Sequence, residues 1–293
     1  MDLIQILRRF PDDAACMRHL EDVRWGDDPR CPYCGGVSVA RKVEGERVRR
    51  WNCHECKASF NVLAKTIFSG TRTDLSKWFA AIALVLNAKK SLSSPQLGRD
   101  LGIPQRTAYR MLMKIRGAMA ADTELLSGIV EADEVYVGGK PRKHNKRDDD
   151  EDAPPGRGTR KLPVIGVVER GGKVRAQPSP RVTQANLTEF IGRTVNQDDA
   201  VLITDQFVGY NRVGRTMPHM KVDHSQRYVD GWKHVNTMES FWALLKRAWW
   251  GAHHHYSRTH AHAYVTEACY KYNIRKMPNA FQVFIQDTMM AAV

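Results

Sequence analysis

The sequence lacks any apolar run approaching the roughly 20 residues that a membrane-spanning helix needs, which argues against a membrane partner. Its opening, "MDLIQILRRFPDD", has no apolar core of the kind a secretory signal carries, so a cytoplasmic protein is expected. Cysteine is scarce outside one arrangement. Of six cysteines, four form the pairs Cys31-Pro-Tyr-Cys34 and Cys53-His-Glu-Cys56, while Cys16 and Cys269 fit no pattern and read as buried apolar residues. That usage excludes a disulfide framework and suits a reducing compartment. Acidic residues are also short: 32 Asp+Glu face 45 Lys+Arg, a formal net charge of +13. A polyanionic partner follows, nucleic acid before membrane. The deficit is concentrated in residues 1–120, with 21 basic against 12 acidic residues, whereas residues 121–293 hold 24 against 20.

The cysteine pairs are the most specific feature present. Two C-x-x-C turns separated by eighteen residues aim four thiolates at one point, which is the ligand set of a structural zinc. One Zn²⁺ bound by Cys31, Cys34, Cys53 and Cys56 is therefore expected, with His54 beside the site rather than on the metal. Between the pairs, "SVARKVEGERVRRWNC" alternates and turns at Glu44-Gly45-Glu46, as a small hairpin does. One or two short helices precede the ribbon, to about Trp25, with Asp12 or Asp13 as N-cap or first-turn acid of the second.

From Asp74 the pattern turns helical. Leu75, Trp78, Phe79, Ile82 and Leu86 recur at core spacing. Then "SLSSPQLGRDLGIPQRTAYRMLMKIRGAM" sets out a Ser cap, Pro95 in a first turn, Gly102 closing a short helix and a second helix from about Pro104. This is a helix-turn-helix layout, and Arg106, Arg110 and Lys114 on its second helix are the candidate DNA contacts. The stretch 140–161 has Ala153 as its one clearly apolar side chain and reads as a charged loop inserted after a strand.

The rest of the chain supports a mixed α/β domain. "SGIVEADEVYVGGK" is a strand in which Glu131 and Asp133 share a face with Ile129 and Val135, and acids so placed need a cation. "KLPVIGVVERGGKVRAQPSP" reads as a hairpin around Gly171-Gly172, and "TQANLTEFIGRTVN" as a helix. "AVLITDQF" is a buried strand with Asp205 at its end, and "HMKVDHS" a short edge strand. In "HVNTMESFWALLKRAWW", Met238, Phe241, Trp242, Leu245 and Trp249 line one side of a helix, and Asn236, Glu239 and Lys246 line the other. Two strand aspartates and a helix glutamate are the carboxylates that a pair of Mg²⁺ or Mn²⁺ ions requires for phosphodiester displacement.

With "CPYC…CHEC", "EADEVYVGGK", "ITDQFVGY" and "HVNTMESFWALLKR" in view, the chain resembles bacterial insertion-sequence transposases of the DDE type with an N-terminal zinc ribbon, the group related to eukaryotic Merlin elements. The resemblance covers nearly the whole chain. It implies N-terminal helices and ribbon over 1–70, a helix-turn-helix region over 71–122, and a ribonuclease H-like catalytic domain over 123–293 with the charged insertion 140–161. It implies Asp133, Asp205 and Glu239 as catalytic triad and ligands of two Mg²⁺ or Mn²⁺ ions, with Lys246 on transposon-end DNA. Asn236 stands as the other candidate for third ligand. Double-stranded DNA, both element ends and target, is the implied partner; a homodimer or higher oligomer is implied in the synaptic complex, and a nucleoid-associated location in the cell. Two rivals stay open. A zinc-ribbon and helix-turn-helix regulator with an inactive transposase-like domain would bind DNA without cutting it, and an RNA-processing nuclease of the same fold would require a 2′-hydroxyl.

Overall fold

The computed structural model describes residues 2–42, 50–119, 123–138, 161–222 and 234–290. The chain divides into two compact units, one built from residues 1–119 and 276–293, the other from 120–275. The expected hairpin turn at Glu44-Gly45-Glu46 and nearly all of the charged insertion lie outside the described residues.

In the first unit, α1 (Leu3–Arg9) and α2 (Asp13–Trp25) each start on an aspartate. Asp2 and Asp12 accept the backbone N–H of Gln5 and Ala15 at 2.8 and 2.7 Å, satisfying donors that a helix start leaves free. Asp13 serves another helix: its Oδ1 accepts the N–H of Leu75, at 2.8 Å, where α3 (Leu75–Asn87) begins. Strands β1 (Val39–Arg41), β2 (Trp51–Cys53) and β3 (Ser59–Phe60) form the small antiparallel ribbon sheet. Its apolar contents are few, chiefly Cys31, Cys53, Phe60 and Ala64 with Trp25, Val39 and Trp51 against them. A core that small does not hold a fold by burial alone.

Helix α3 buries most of its surface, including Leu75, Trp78, Phe79 and Ile82, while Leu86 is half-buried. Helices α4 (Ser94–Leu101) and α5 (Gln105–Ala118) follow. Ser93 caps α4, and Gly102 closes it at φ +60°, a conformation glycine adopts without a Cβ penalty. The unit is completed by α9 (Ala280–Met290), which packs on α2 and α3. Phe281 lies edge-on to Phe79, 5.5 Å between centroids, with Phe10 also against Phe79 at 4.9 Å. The tail therefore departs from the domain span of 123–293 expected from sequence. Phe281, Phe284 and Ile285 are apolar on one helix face and find their burial in the N-terminal unit.

The second unit is a five-stranded sheet: β4 (Leu126–Val137), β5 (Leu162–Glu169), β6 (Val174–Pro178), β7 (Val195–Thr204) and β8 (His219–Lys221), in spatial order β6-β5-β4-β7-β8. The first three pair antiparallel, and β4-β7 and β7-β8 pair parallel. The hairpin β5-β6 turns at Gly171, φ +75°. Helix α6 (Gln184–Thr194) covers one face, where Val130, Ala132, Leu187, Phe190, Leu202 and Tyr210 are buried together. Helices α7 (Asn236–Ala248) and α8 (Ala261–Asn273) cover the other, over Val135, Val137, Val164 and Val168. Parallel strands buried on both faces read as continuous apolar runs, which is why "AVLIT" shows no alternation. No helix among the described residues is long and apolar enough to cross a membrane.

Candidate functional site

Two sites emerge, one in each unit. In the ribbon, the four cysteine sulfurs all lie within 4.8 Å of one another. Cys31 and Cys56 are 3.6 Å apart, as are Cys34 and Cys53. Those spacings are far too long for disulfides, and all six cysteines are free thiols. They are close to the ~3.8 Å edge of a tetrahedron with zinc–sulfur bonds of about 2.3 Å. The donor set thus fits zinc. The N–H of Cys56 points at the Cys53 sulfur at 3.5 Å, and backbone donation of this kind lowers the Cys53 thiol to about 7 even without metal. His54 is exposed, as expected of a bystander.

The aspartates of the second unit sit where the β4-β7 pairing runs out, Asp133 within β4 and Asp205 directly after β7. The last parallel pair is Glu131 with Ile203; Asp133 and Asp205 each lie two residues further on, near enough for Asp205 to act on the Asp133 carboxyl. Each acid is oriented by a neighbour. Trp242 of α7 donates its indole N–H to Asp133 Oδ2 at 3.0 Å, and the Phe207 N–H donates to Asp205 Oδ1 at 3.0 Å. The approach of Trp242 depends on Gly166, which faces Asp133 across the β4-β5 ladder. A Cβ at position 166 would fall 2.5 Å from the Met238 methyl and 2.7 Å from the Trp242 ring.

Burial pushes the Asp133 carboxyl up to about 7, with Glu134 and Asp205 adding to the rise. Glu134 points to the opposite face, where the Tyr210 hydroxyl donates to it at 3.1 Å. Tyr210 is itself pushed well up, by burial first and then by Glu134, Asp133 and Asp205. This end of the sheet thus concentrates negative charge, which a divalent cation would relieve. A carboxyl raised above its unfolded value stabilises the fold fully below about pH 4, and that contribution is lost as pH rises through about 7. Protein freed of divalent ions should therefore lose thermal stability between about pH 4 and 7, by an amount on the order of 1 kcal/mol or more. Melting curves of wild type and Asp133→Asn test this: the decline should flatten in the variant, and equal slopes would contradict it.

Other predicted residues fall less tightly together. Glu239 is exposed in the first turn of α7, Asn236 is exposed at its first position, and Lys246 is exposed in its last turn beside Arg247. Among the described residues the four cysteines are the set of three or more His, Cys, Asp or Glu ligand atoms gathered closely enough for one ion. Asp133, Asp205 and Glu239 are not gathered that way. On α5, Arg106 and Arg110 are exposed. Lys114 is engaged: its ammonium donates to the carbonyls of Ile67 and Ser69 at 2.9 and 3.0 Å, fastening α5 to the preceding loop. Arg116, on the same helix, is buried rather than part of a basic face.

Glu131, which flanks Asp133, reads from sequence as a structural acid or the partner of a basic residue, and the structure gives it that place. It is fully buried, and its carboxylate accepts from Arg170 Nε at 2.6 Å, from the Thr237 N–H at 2.8 Å, from the Thr237 hydroxyl at 2.9 Å and from the Met238 N–H at 3.0 Å. The cation that meets this acid is a guanidinium. Sequence pointed to a basic partner for this acid but not to Arg170, 39 residues away.

The chain thus joins a four-cysteine ribbon to a mixed sheet that carries Asp133 within β4 and Asp205 directly after β7. The ISXO2-like transposase domain matches residues 125–273, just over half of the chain, and the transposase zinc-ribbon domain matches residues 11–59. The chain belongs to the ISXO2-like transposase family. It is also similar to the "Uncharacterized protein in transposable element ISH50" of Halobacterium salinarum, 29% identical over 257 residues, covering 84% of this chain and 86% of that protein. Two solved structures are more distant. The Mos1 strand transfer complex shares 11% identity over 72% of this chain and 78% of that one, with a TM-score of 0.20. The pre-cleavage Mos1 transpososome shares 11% over 98% and 96%, with a TM-score of 0.25.

Proposed function

We propose that this transposase binds the terminal inverted repeats of its own element, hydrolyses the DNA at the element ends and joins the freed 3′-hydroxyl to target DNA. The observation that carries the reading is the nearness of Asp133, within β4, and Asp205, directly after the neighbouring parallel strand β7, inside the segment that matches the transposase domain. The strand order β6-β5-β4-β7-β8, with three antiparallel strands followed by two parallel ones, supports a ribonuclease H-like reading of that domain.

In this proposal Asp133, Asp205 and Glu239 hold divalent ions. Mg²⁺ or Mn²⁺ bound there supplies stabilisation of the attacking and leaving oxygens at phosphorus. The chain's own part is positioning. Trp242 and the Phe207 N–H hold the two aspartates in one orientation each, and α7 carries Glu239 in its first turn and Lys246 two turns later, toward the DNA phosphates. Water attacks phosphorus first, expelling the element's 3′-oxygen as a hydroxyl. That hydroxyl then attacks a target phosphodiester and expels a target 3′-hydroxyl. Recognition falls to the ribbon and to α4-turn-α5 acting as a helix-turn-helix, with Arg106 and Arg110 reaching DNA and Lys114 bracing their helix. Assembly of two or more copies would bring both ends together.

The test is incubation of the protein with end-sequence duplex and Mg²⁺ across a salt series. Binding should fall steeply with salt, because each neutralised phosphate releases counterion, and nicking at the repeat boundary should leave a 3′-hydroxyl. Tight binding with no cutting at any salt would favour the regulator instead.

A further inference from the structure

We infer that Glu131 and Arg170 form a buried clamp that sets the position of the catalytic helix relative to Asp133. The inference rests on the catalytic reading above and adds positioning residues to it. Helix α7 begins at Asn236, and its flanking residue, Val235, offers no side-chain acceptor to the free N–H groups. Glu131 supplies that acceptor from a different element. Its carboxylate takes the N–H of the second and third residues of the helix, Thr237 and Met238, together with the Thr237 hydroxyl. These are the donors that a side-chain cap normally satisfies from within the helix's own chain segment. Here the cap comes from the middle of β4, two residues before Asp133, so the strand that carries the aspartate also grips the helix that carries Glu239.

Arg170 completes the clamp. Its backbone N–H donates to the Ile129 carbonyl at 3.0 Å, its Nε to Glu131 Oε1 and its Nη2 to the His234 carbonyl at 2.8 Å. One guanidinium thus ties strand β4, the end of β5 and the segment leading into α7. His234 Nδ1 lies 3.3 Å from the same Glu131 oxygen. A negative charge at a helix N-terminus is favoured by the aligned peptide dipoles. In a fully buried position that charge holds the helix start in one place, since any movement of α7 would strand it without donors. Position matters here because a shift of about 1 Å in a reacting group can cost about a hundredfold in rate.

The test uses the full-length protein and three variants. Glu131→Gln keeps the shape of the side chain, removes the charge and presents an amide to Arg170. Arg170→Met leaves the carboxylate on the helix N–H groups. Asp133→Ala supplies the metal-site control. Each is read by melting temperature, end-DNA binding, Mn²⁺ binding and the Mg²⁺ dependence of cleavage. Glu131→Gln is expected to bind DNA like wild type, to cleave about a hundredfold more slowly and to require more Mg²⁺ for half-maximal rate. Arg170→Met should show the same shift more weakly. A purely structural role would lower melting temperature and DNA binding together, with an unchanged Mg²⁺ requirement in the folded fraction; that result would overturn the clamp. So would a Glu131→Gln protein that cleaves with the wild-type rate and Mg²⁺ dependence. If wild type itself neither cleaves nor loses Mn²⁺ binding in Asp133→Ala, the catalytic reading fails first, and the clamp with it.

Discussion

Asp133→Ala, Asp205→Ala and Glu239→Gln should each slow Mg²⁺-dependent cleavage of end DNA by about a thousandfold or more, while binding that DNA nearly as well as wild type. The division of labour explains both halves of the result. In the proposed mechanism the carboxylates hold charge-stabilising ions at phosphorus, whereas affinity would come from the basic first unit. The structural support is uneven across the three. Asp133 and Asp205 lie near enough that Asp205 adds to the rise at Asp133. Glu239 is exposed on α7 and not gathered with them, so Asn236→Ala belongs in the same experiment. Gel analysis of nicked end DNA under single-turnover conditions measures all four. A dead Asn236→Ala beside a normal Glu239→Gln would move the third role to Asn236. Normal cutting by all three acid variants would end the carboxylate mechanism.

Removing zinc should be comparably severe for the first unit. The ribbon's few buried residues are drawn around Cys31 and Cys53, so metal ligation and folding there are one event, with apparent binding energies on the order of 10 kcal/mol for isolated zinc fingers. Elemental analysis should return one zinc per chain, lost in the Cys31→Ser, Cys34→Ser double variant or on prolonged chelation. The loss has an optical reporter: Trp25 packs edge-on against Trp51 and Phe60, at 6.1 and 5.9 Å. Its near-ultraviolet dichroism should collapse with the metal, and end-DNA affinity should drop with it. Metal-free protein with an intact tryptophan signal would show that the ribbon stands without zinc. Acid should have the same effect as chelation, because protons compete for thiolates.

Much of this was legible from local pattern. The doubled C-x-x-C, the Ser93 cap with Gly102 closing α4, the glycine turn at 171 and the apolar run before Asp205 are all short-range signals, and each element lies where its signal points. Features made by distant partners left no such trace. Glu131 meets Thr237 from 106 residues away, and Lys114 meets Ile67 from 47; neither contact has a periodicity to find. The basic face of α5 shows the same limit. Arg106, Arg110, Lys114 and Arg116 look alike in composition, yet two are exposed, one is fastened to a loop and one is buried. The return of α9 to the first unit was hidden for a simpler reason: an apolar helix face says that it needs a partner, not which one.

That return has a consequence for how the protein is made. The first unit is discontinuous in the chain, and residues 120–275 are spliced into it like a long parenthesis. On the ribosome, the face of α3 around Phe79 stays uncovered by Phe281 until the last helix has left the exit tunnel. The second unit, continuous in sequence, can fold earlier. A copy of the element with a stop codon or frameshift near residue 275 would therefore keep every residue of the proposed active site and still release a first unit with an open core.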